Sequence, residues 1–475
     1  MKVLLVNPPY GKVYSKVRTA EGINPPMGLA YIAAYLRKNG IDVSILDAHA
    51  FQIGMADLEK RLPQFDVVAV PSVTPSLSSS IEVLKIARKV NPGCKTIMGG
   101  PHISALPFDT MKNNSVIDFG VMGEAEVTML DLIKNINEGK NPSGVKGIIH
   151  RGKERIIMNE RRQLIKNIDE LPFPAYDLLP FEKYQQHLHH VSLSSNIPIK
   201  PFTILFTSRG CPYNCSFCAS CVVWGRSARF RSAENVLAEI DMLVDKYKVR
   251  VLDIADDIFT INKKRLYGIL DGLIERDYDL HFNCLSRVDT LDREMLRKLK
   301  RSGCYLIRFG VESGNQEMLT RMHKNVTTAQ IKKAFALTNK EGMASSASFI
   351  IGHYGETKKS AEDTIKLARD INPTLAHFFI AIPLPGTELY SITKEKNLIV
   401  DENFEKWIQM PERPAVRTEE LSPEDLLSLR KKAYKTFYFR SSYIFRRMMQ
   451  IRSMDQMKYY LRGILALKSL ISSSE

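Results

Sequence analysis

Short apolar runs alternate with helical patterns through residues 1–136, and this alternation restricts the fold more than any other feature of the chain. Val67–Val70 is apolar throughout, and the helical stretch Met27–Lys38 stops at the helix-ending pair Asn39-Gly40. Buried strands separated by amphipathic helices predict a parallel, doubly wound sheet. Such a sheet binds ligands beyond the carboxyl ends of its strands. The predicted strands are Lys2–Val6, Asp42–Leu46, Val67–Val70, Thr96–Met98 and Phe119–Met122.

A second alternation of strands and helices starts at Lys200. Six strand–helix units of this size predict a partial (β/α)6 barrel of the TIM type, which builds its chemistry at the carboxyl ends of the strands. The predicted strands are Phe202–Thr207, Arg250–Ala255, His281–Ser286, Cys304–Gly310, Ala347–Gly352 and Ala376–Ile382. The predicted helices between them are Ala233–Tyr247, Lys263–Glu275, Arg293–Ser302, Thr328–Glu341 and Lys359–Ile371.

Three cysteines, Cys211, Cys215 and Cys218, lie in one short loop directly after the first of these strands. The C-x3-C-x2-C spacing offers three thiolates and no fourth protein ligand, whereas structural zinc sites almost always have four. An iron–sulfur cube held by three thiolates keeps one iron open for another molecule. We interpret Cys221 as a neighbouring free thiol. A structural metal loop is the alternative to the iron–sulfur site.

The loop's spacing resembles the signature of the radical S-adenosylmethionine superfamily, in which the open iron is chelated by S-adenosylmethionine. From Met1 to Val400 the chain resembles the cobalamin-binding branch of that superfamily. This branch includes anaerobic magnesium-protoporphyrin ester cyclases, hopanoid methylases and related methyltransferases. The resemblance implies three cofactors, namely a 4Fe-4S cluster, S-adenosylmethionine and cobalamin, and an electron donor such as flavodoxin or ferredoxin.

The resemblance assigns four residues of the predicted barrel to S-adenosylmethionine. Phe217 would pack on the adenine, and Asp257 would contact the amino group. Arg287 would pair with the carboxylate, and Glu312 would bind the ribose hydroxyls. A solvated helix start for Asp257 and a structural ion pair for Glu312 are the alternatives. Tyr354 stands where the family's Gly-Pro-Gly-Glu-Thr turn has proline.

The resemblance also predicts cobalamin contacts at the strand ends of the first sheet. The residues are Asn7, Asp47, His49, Ser72, Thr74, Gly99, Gly100, Gly123 and Glu124. Cobalamin domains that ligate cobalt through histidine use D-x-H-x-x-G, but this chain has Gln52 at the glycine position. His49 is therefore either the lower axial ligand or a loop histidine near the corrin.

Composition restricts the class of protein. The chain has 475 residues, with 44% hydrophobic and 25% charged content, which is typical of a globular protein of two or three domains. We expect neither a signal peptide nor a membrane span, and the seven cysteines are too few for a disulfide framework. These features predict a cytoplasmic protein.

The net charge of +15 is concentrated near the carboxyl end. Between Arg430 and Lys468 there are eleven Lys or Arg residues and one acid, so the basic charge does not indicate a nucleic-acid enzyme. The segment from Leu421 has a helical pattern. The predicted helix either binds an anionic membrane or covers the open barrel. Its predicted apolar face comprises Tyr443, Ile444, Met448, Ile451, Met454, Tyr459, Leu461, Ile464 and Leu465, flanked by Arg446, Arg447, Arg452, Lys458 and Arg462.

The predicted domains are a Rossmann-like cobalamin-binding domain (1–136), a small subdomain and linker (137–199), the radical barrel (200–415) and a basic helical segment (416–475). The resemblance implies a methyltransferase that acts through a 5′-deoxyadenosyl radical on an unactivated carbon of a lipid, a tetrapyrrole or another secondary metabolite. A radical cyclase or a ring-contracting enzyme has the same motifs, and a non-catalytic metal-binding module is an alternative of another class. A methylthiotransferase is disfavoured because it needs amino-terminal cysteines for a second cluster, and only Cys94 precedes Cys211.

Overall fold

The computed structural model describes residues 1–9, 23–184, 197, 200–449, 451 and 457. The chain divides into two compact units. The first unit contains the described residues of 1–16, 24–184 and 219–230, and the second unit contains those of 17–23, 185–218 and 231–475. The predicted domain boundaries at residues 136, 199 and 415 do not coincide with this division, and they stay predictions.

A seven-stranded sheet forms the centre of the first unit. Its strands are β1 Lys2–Asn7, β2 Asp42–Asp47, β3 Val67–Pro71, β4 Lys95–Gly99, β5 Phe119–Val121, β6 Ile148–Arg151 and β7 Ile156–Met158. The order across the sheet is β2-β1-β3-β4-β5-β6-β7. Strands β1 to β5 pair in parallel, and β6 and β7 extend the sheet as an antiparallel edge. Strand β2 lies on one side of β1, and β3, β4 and β5 follow on its other side. The order of the strands therefore reverses between β1 and β3, which is a topological switch point.

Helices cover both faces of this sheet. They are α1 Met27–Lys38, α2 Met55–Arg61, α3 Leu77–Val90, α4 Pro101–Ala105, α5 Pro107–Asn113 and α6 Glu126–Asn137. On one face, Val68 and Met98 pack with Leu84 of α3 in one apolar core. On the other face, Leu5 and Ile97 share a second core with α1 and α6. The predicted doubly wound architecture is confirmed.

The second unit contains a six-stranded, wholly parallel sheet. Its strands are β8 Phe202–Leu205, β9 Val251–Ile254, β10 His281–Ser286, β11 Cys304–Glu312, β12 Ser345–Ile351 and β13 Leu375–Ile380. They lie in the order β13-β12-β11-β10-β9-β8, which is the chain order of an open, partial barrel. Two further strands have two residues each: Ser208–Arg209 in the second unit and Arg229–Phe230 in the first unit.

Helices follow the strands of the barrel. In chain order, the remaining helices are α7 Ser220–Trp224, α8 Ala233–Tyr247, α9 Lys263–Arg276, α10 Arg293–Arg301, α11 Gln316–Arg321, α12 Thr328–Lys340, α13 Lys358–Ile371, α14 Glu388–Glu395, α15 Pro423–Tyr438 and α16 Ser441–Met448. Side-chain caps set several helix starts: Asn262 accepts from the Arg265 amide, and Thr327 forms a capping box with Gln330. The 3₁₀ helices are Thr74–Ser76, Pro142–Gly144, Ile168–Glu170, Tyr176–Leu178, Phe181–Lys183 and Phe404–Lys406.

Helix α15 covers the edge strand β13 through tyrosine hydroxyl groups. The Tyr434 hydroxyl accepts from the Phe378 amide at 3.2 Å, and the Tyr438 hydroxyl accepts from the Ala376 amide at 3.0 Å. Tyr438 also donates to the Ala376 carbonyl at 2.9 Å. The start of the predicted basic segment is thus an integral part of the second unit.

The predicted apolar face of the C-terminal segment is divided in the structure. Tyr443 is buried, whereas Ile444 and Met448 are exposed. Among the described residues, no helix has the length and apolarity that crossing a membrane requires. Part of the predicted face (Met454, Tyr459, Leu461, Ile464 and Leu465) and part of its basic flank (Arg452, Lys458 and Arg462) lie outside the described residues, as does most of the predicted linker from 185 to 199.

Candidate functional site

The cysteine loop lies at the carboxyl end of the first barrel strand, as the sequence predicts. Cys211 and Cys215 are partly buried and Cys218 is exposed, and none of the three is in a disulfide bond. The Cys218 amide donates to the Cys215 carbonyl at 3.1 Å, which gives a tight turn between these two cysteines. The loop therefore presents three thiols from one short stretch of backbone.

The thiols of the loop are not arranged around a single ion in the described residues. Within the part of the chain that the structure describes, no three His, Cys, Asp or Glu side chains are placed to hold one ion. In an iron–sulfur cube, three thiolates bind three separate irons, so their sulfur atoms need not meet around one point. Three thiols without a fourth ligand fit such a cube better than they fit zinc.

Charged side chains surround Cys215. Burial raises the pKa values of the Cys211 and Cys215 thiols. Lys324 and Arg287 act in the opposite direction on Cys215, whereas Glu312 adds to the increase. Two cations beside a thiol favour its thiolate form, which is the form that binds metal. The charges around the loop therefore also fit an anionic cluster.

Glu312 and Lys324 form a buried ion pair in the second unit. Lys324 Nζ donates to Glu312 Oε1 at 2.9 Å, and both residues are 7% exposed. Glu312 has a φ of +68°, beside an irregularity in the pairing of β11 with β12. A Cβ on Gly310 would lie 2.3 Å from Glu312 Oε1, so only glycine leaves room for the pair. The structural ion pair that the sequence left as an alternative for Glu312 is present.

Arg287 holds the cysteine loop by stacking. Its guanidinium carbon lies 3.6 Å from the ring centre of Tyr213, which is inside the loop. The same guanidinium makes two hydrogen bonds of 3.0 Å to the Asp289 carboxylate and one of 3.0 Å to the Lys324 carbonyl. Although burial acts against it, Asp289 holds the pKa of Arg287 above its usual value. The predicted pairing of Arg287 with a cofactor carboxylate stays a prediction.

Asp256 and Asp257, the two acidic residues that follow β9, have different environments. Asp256 is buried and accepts from the Thr207 amide at 2.6 Å and from the Ser208 amide at 3.0 Å. It therefore fixes the backbone that leads into the cysteine loop. Asp257 lies close enough to Cys211 to raise the pKa of that thiol. The predicted contact of Asp257 with the amino group of S-adenosylmethionine stays a prediction.

In the first unit, Asp47 joins the carboxyl ends of two strands. Its carboxylate accepts from Asn7 Nδ2 at 2.8 Å, from the Ala50 amide at 3.0 Å and from the Tyr184 hydroxyl at 2.9 Å. Burial and the Asp47 charge raise the pKa of Tyr184, so this phenol stays protonated and remains a donor. Asn7 and Asp47 thus act together with a tyrosine that sequence reasoning missed.

The turn that carries His49 keeps a glycine-like backbone. His49 is partly buried, and Gln52 has a φ of +53° in an exposed turn. This left-handed conformation is the one that glycine adopts most easily. Gln52 thus has a backbone conformation that glycine would also adopt at this position of the D-x-H-x-x-G pattern.

The ends of β3 and β4 are in close contact. The Ser72 amide donates to the Gly99 carbonyl at 2.8 Å, and His102 Nδ1 lies 3.2 Å from Thr74 Oγ1. Burial lowers the pKa of His102 to about 4. Gly100 has a φ of +97°, and a Cβ there would lie 2.9 Å from the Ser72 backbone. The predicted strand-end residues of β3 and β4 thus lie together at the carboxyl ends of the strands. They are Ser72, Thr74, Gly99 and Gly100.

Glu124 is engaged inside the first unit. Its carboxylate accepts from Arg229 Nη1 at 2.8 and 2.9 Å and from the Ile165 amide at 2.8 Å. Gly123, with a φ of +73°, donates its amide to Ser104 Oγ at 3.0 Å. The predicted cobalamin contacts of Gly123 and Glu124 stay predictions, and Arg229 is a partner that the sequence did not suggest.

Comparison with known proteins gives the family. The model of the B12 binding domain matches residues 16–133, and the model of the Radical SAM superfamily matches residues 205–368. The "Uncharacterized methyltransferase PH0819" of Pyrococcus horikoshii is 34% identical over 93% of this chain and 93% of its own length. The chain belongs to the cobalamin-binding radical S-adenosylmethionine family.

Two further proteins extend the comparison for this radical S-adenosylmethionine protein. The anaerobic magnesium-protoporphyrin IX monomethyl ester cyclase of Rubrivivax gelatinosus is 28% identical over 94% of this chain and 78% of that protein. The solved structure of the methyltransferase TsrM from Kitasatospora setae, with cobalamin and a 4Fe-4S cluster bound, has a TM-score of 0.69 at 17% identity. It covers 83% of this chain and 78% of TsrM, and this likeness is evidence of fold.

The predicted enzyme class and cofactors are confirmed by membership of this radical S-adenosylmethionine family. Sequence reasoning missed three residues of the candidate sites: Lys324, Arg229 and Tyr184. Lys324 follows helix α11 in a short turn, and neither a motif nor a period marks it. Only the fold brings it to Glu312 and Cys215.

Proposed function

We propose that this chain is a cobalamin-dependent radical S-adenosylmethionine methyltransferase. The substrate would be a small molecule or a lipid, with the methyl group transferred to an unactivated carbon of a lipid, a tetrapyrrole or another secondary metabolite. The main support is the 34% identity, over 93% of both chains, to a protein that is named a methyltransferase. A match of that length includes most of the residues of both cofactor domains.

In this proposal the cofactors supply the radical and methyl-transfer chemistry, and the protein positions them. Cys211, Cys215 and Cys218 hold the cluster. Lys324 and Arg287, whose charges lower the pKa of the Cys215 thiol, would offset its negative charge. The Asn7–Asp47–Tyr184 network fixes the strand ends of the first sheet, where we place the cobalamin.

The test uses S-adenosylmethionine with a deuterated methyl group and needs no knowledge of the substrate. Anaerobically reconstituted protein, supplied with cobalamin and a strong reductant, should form deuterated methylcobalamin and S-adenosylhomocysteine. Cys215→Ala should lose bound iron and the formation of 5′-deoxyadenosine together. Cys221→Ala is the matched control, because it removes a thiol outside the predicted ligand set, and it should keep both. A Cys215→Ala protein with full iron content would contradict the cluster assignment.

A radical cyclase is the second candidate, favoured by the 28% identity to the protoporphyrin ester cyclase over 94% of this chain. A cyclase does not consume a methyl group. Reductive cleavage of S-adenosylmethionine to 5′-deoxyadenosine, without deuterated methylcobalamin, would therefore favour the cyclase. Formation of both products favours the methyltransferase.

An external electron donor belongs to the same proposal. Reductive cleavage of the sulfonium bond consumes one electron, and a low-potential protein such as flavodoxin or ferredoxin would supply it. None of the described cysteines is in a disulfide bond, which agrees with a reducing, cytoplasmic setting. Replacing the chemical reductant by reduced flavodoxin should sustain deoxyadenosine formation. Failure with both flavodoxin and ferredoxin would contradict this part.

We further propose that helix α16 contacts an anionic membrane surface. Phe445, Met448 and Met449 are 68%, 64% and 70% exposed. Beside them, Arg440 and Arg446 have pKa values lowered by burial and by neighbouring arginines, so positive charge is concentrated at the patch. Exposed apolar side chains next to clustered arginines are complementary to anionic lipid.

Vesicle sedimentation tests the membrane contact. The full chain should bind phosphatidylglycerol vesicles and not phosphatidylcholine vesicles, and Phe445→Asp with Met448→Asp should abolish binding. Phe108→Asp is the matched control, since Phe108 is 47% exposed on a different helix. Binding that is unaffected by the double substitution would contradict the proposal.

A further inference from the structure

Ser216, between the second and third cysteines, is fixed by three hydrogen bonds. Its amide donates to the Met322 carbonyl at 3.0 Å, and its carbonyl accepts from the Leu389 amide at 2.9 Å. Its hydroxyl lies 3.0 Å from His353 Nε2. Ser216 is 2% exposed and His353 is 1% exposed. The middle of an otherwise accessible loop is thus anchored in the interior of the second unit.

The direction of the bond between Ser216 and His353 follows from the other ring nitrogen. His353 Nδ1 lies 3.2 Å from the Tyr354 carbonyl, which can only accept. Nδ1 therefore carries the proton, Nε2 accepts, and the Ser216 hydroxyl donates. Burial lowers the pKa of His353 to about 4, so the ring is neutral near pH 7.

The turn that carries His353 is itself held in place. The Gly352 amide donates to Glu356 Oε2, and Thr418 Oγ1 donates to the Glu356 carbonyl at 3.0 Å. Gly352 has a φ of +89°, a conformation that favours glycine. His353 therefore has little freedom to follow the loop, and the loop must adapt to the histidine.

His353 also contacts the aromatic residue of the loop. The rings of Phe217 and His353 pack edge to face, with their centres 6.3 Å apart and their planes at 88°. One buried side chain thus contacts both residues that separate Cys215 from Cys218. A change at position 353 would affect the orientation of the Phe217 ring and the spacing of two thiols together.

We propose that His353 is a positioning residue that holds the Ser216–Phe217 peptide, so that the cysteine loop has its cluster-binding shape before any cluster is present. The inference rests on the proposed assignment of Cys211, Cys215 and Cys218 to the cluster. His353 itself does not ligate iron in this proposal. It acts through the serine hydroxyl and the phenylalanine ring.

The test compares Ser216→Ala, His353→Phe and the double variant in the full chain. The first readout is the alkylation rate of Cys215 in cluster-free protein, which should rise about tenfold in each single variant, the size expected for one buried hydrogen bond. The double variant should show no further increase, because both substitutions remove the same bond. Unchanged alkylation in Ser216→Ala, or effects that multiply in the double variant, would overturn the proposal.

The second readout is the loss of iron from reconstituted protein to a chelator. This rate should rise in both single variants, and His353→Gln should restore it towards the native rate because its amide oxygen accepts from Ser216. His281→Phe, a histidine of β10 outside this contact, should behave like the native chain. If His353→Gln melts at the native temperature but still loses iron as fast as His353→Phe, this result would count against the proposal. The alkylation rate needs no cluster, so it tests the loop separately from the proposed function.

Discussion

Lys324 Nζ lies 2.9 Å from Glu312 Oε1, and this buried pair sits beside the central cysteine of the loop. Removing one partner leaves the other charge buried and uncompensated, which costs about 3–5 kcal/mol. We expect Lys324→Met to lower the free energy of unfolding by that amount, and the double variant Lys324→Met/Glu312→Leu to lower it less. Urea unfolding measures both.

The same variants have a second, electrostatic effect. Lys324 lowers and Glu312 raises the pKa of the Cys215 thiol, so this pKa should rise in Lys324→Met and fall in Glu312→Gln. The pH dependence of Cys215 alkylation in cluster-free protein measures this pKa.

The exposed pair Lys89–Glu59 is the control for the effect on stability, and Lys89→Met should change the free energy of unfolding by less than about 1 kcal/mol. Equal losses of stability in Lys324→Met and Lys89→Met would contradict the explanation that burial makes the Glu312–Lys324 pair important.

Glu356 should make the second unit less stable as the pH rises towards 8. Burial raises the pKa of Glu356 from 4.5 to about 8, so between these values the folded chain keeps a proton that the unfolded chain releases. Stability then falls with pH, by up to about 1.4 kcal/mol per pH unit. His353, with a pKa lowered from 6.5 to about 4, acts in the opposite sense below pH 6.5. The Glu356 effect is therefore clearest between pH 6.5 and 8.

The variant Glu356→Gln isolates this contribution. It keeps an oxygen acceptor for the Gly352 amide but cannot ionise. We expect the thermal midpoint of the native chain to fall more steeply than that of Glu356→Gln above pH 6.5, the upper limit of the His353 contribution. Parallel pH profiles of the two proteins would show that Glu356 is already ionised in the folded state.

Gln52→Gly should stabilise the first unit. Gln52 has a φ of +53° and is exposed, so glycine removes a strained backbone conformation without loss of packing. The expected gain is about 1 kcal/mol, measured by urea unfolding. Asn397 has a φ of +52° and is the matched control, because asparagine tolerates this conformation better and Asn397→Gly should gain less. A larger gain at Asn397 would contradict the explanation.

His49→Ala should leave the electron paramagnetic resonance spectrum of bound cob(II)alamin unchanged. The Asp47 carboxylate, which precedes His49 in the motif, is already held by Asn7, Ala50 and Tyr184. We therefore expect cobalt to be bound without a protein histidine. Loss of nitrogen hyperfine splitting in the variant would instead identify His49 as the lower axial ligand.

The sequence predicted the elements whose signals are local. The helix Met27–Lys38 and the strand His281–Ser286 have their predicted bounds, because periodicity and end signals act over a few residues. Short helices such as Gln316–Arg321 were missed, since six residues hold too little of a helical period. The hairpin of β6 and β7, within the predicted small subdomain and linker (137–199), had no strand signal in the sequence, and it pairs with β5 as an edge of the first sheet.

The candidate sites show the same division between local and distant information. The three cysteines and Gly100 were predictable because spacing and turn chemistry mark them. Tyr184 lies 137 positions from Asp47, and Arg229 lies 105 positions from Glu124. No period or motif links residues so far apart, and only tertiary packing selects them. The partners of each site residue were therefore the part that the sequence could not supply.

In a closed barrel, the backbone amides of β13 would be bonded by a neighbouring strand. Here the tyrosine hydroxyls of α15 take the place of that strand. A parallel sheet that ends in bare amides and carbonyls is a template for pairing with other chains. A chain shortened before Pro423 would uncover the Ala376 and Phe378 amides and would self-associate through that edge. Solubility of the second unit thus depends on a helix that lies outside the residues matched by the model of the Radical SAM superfamily.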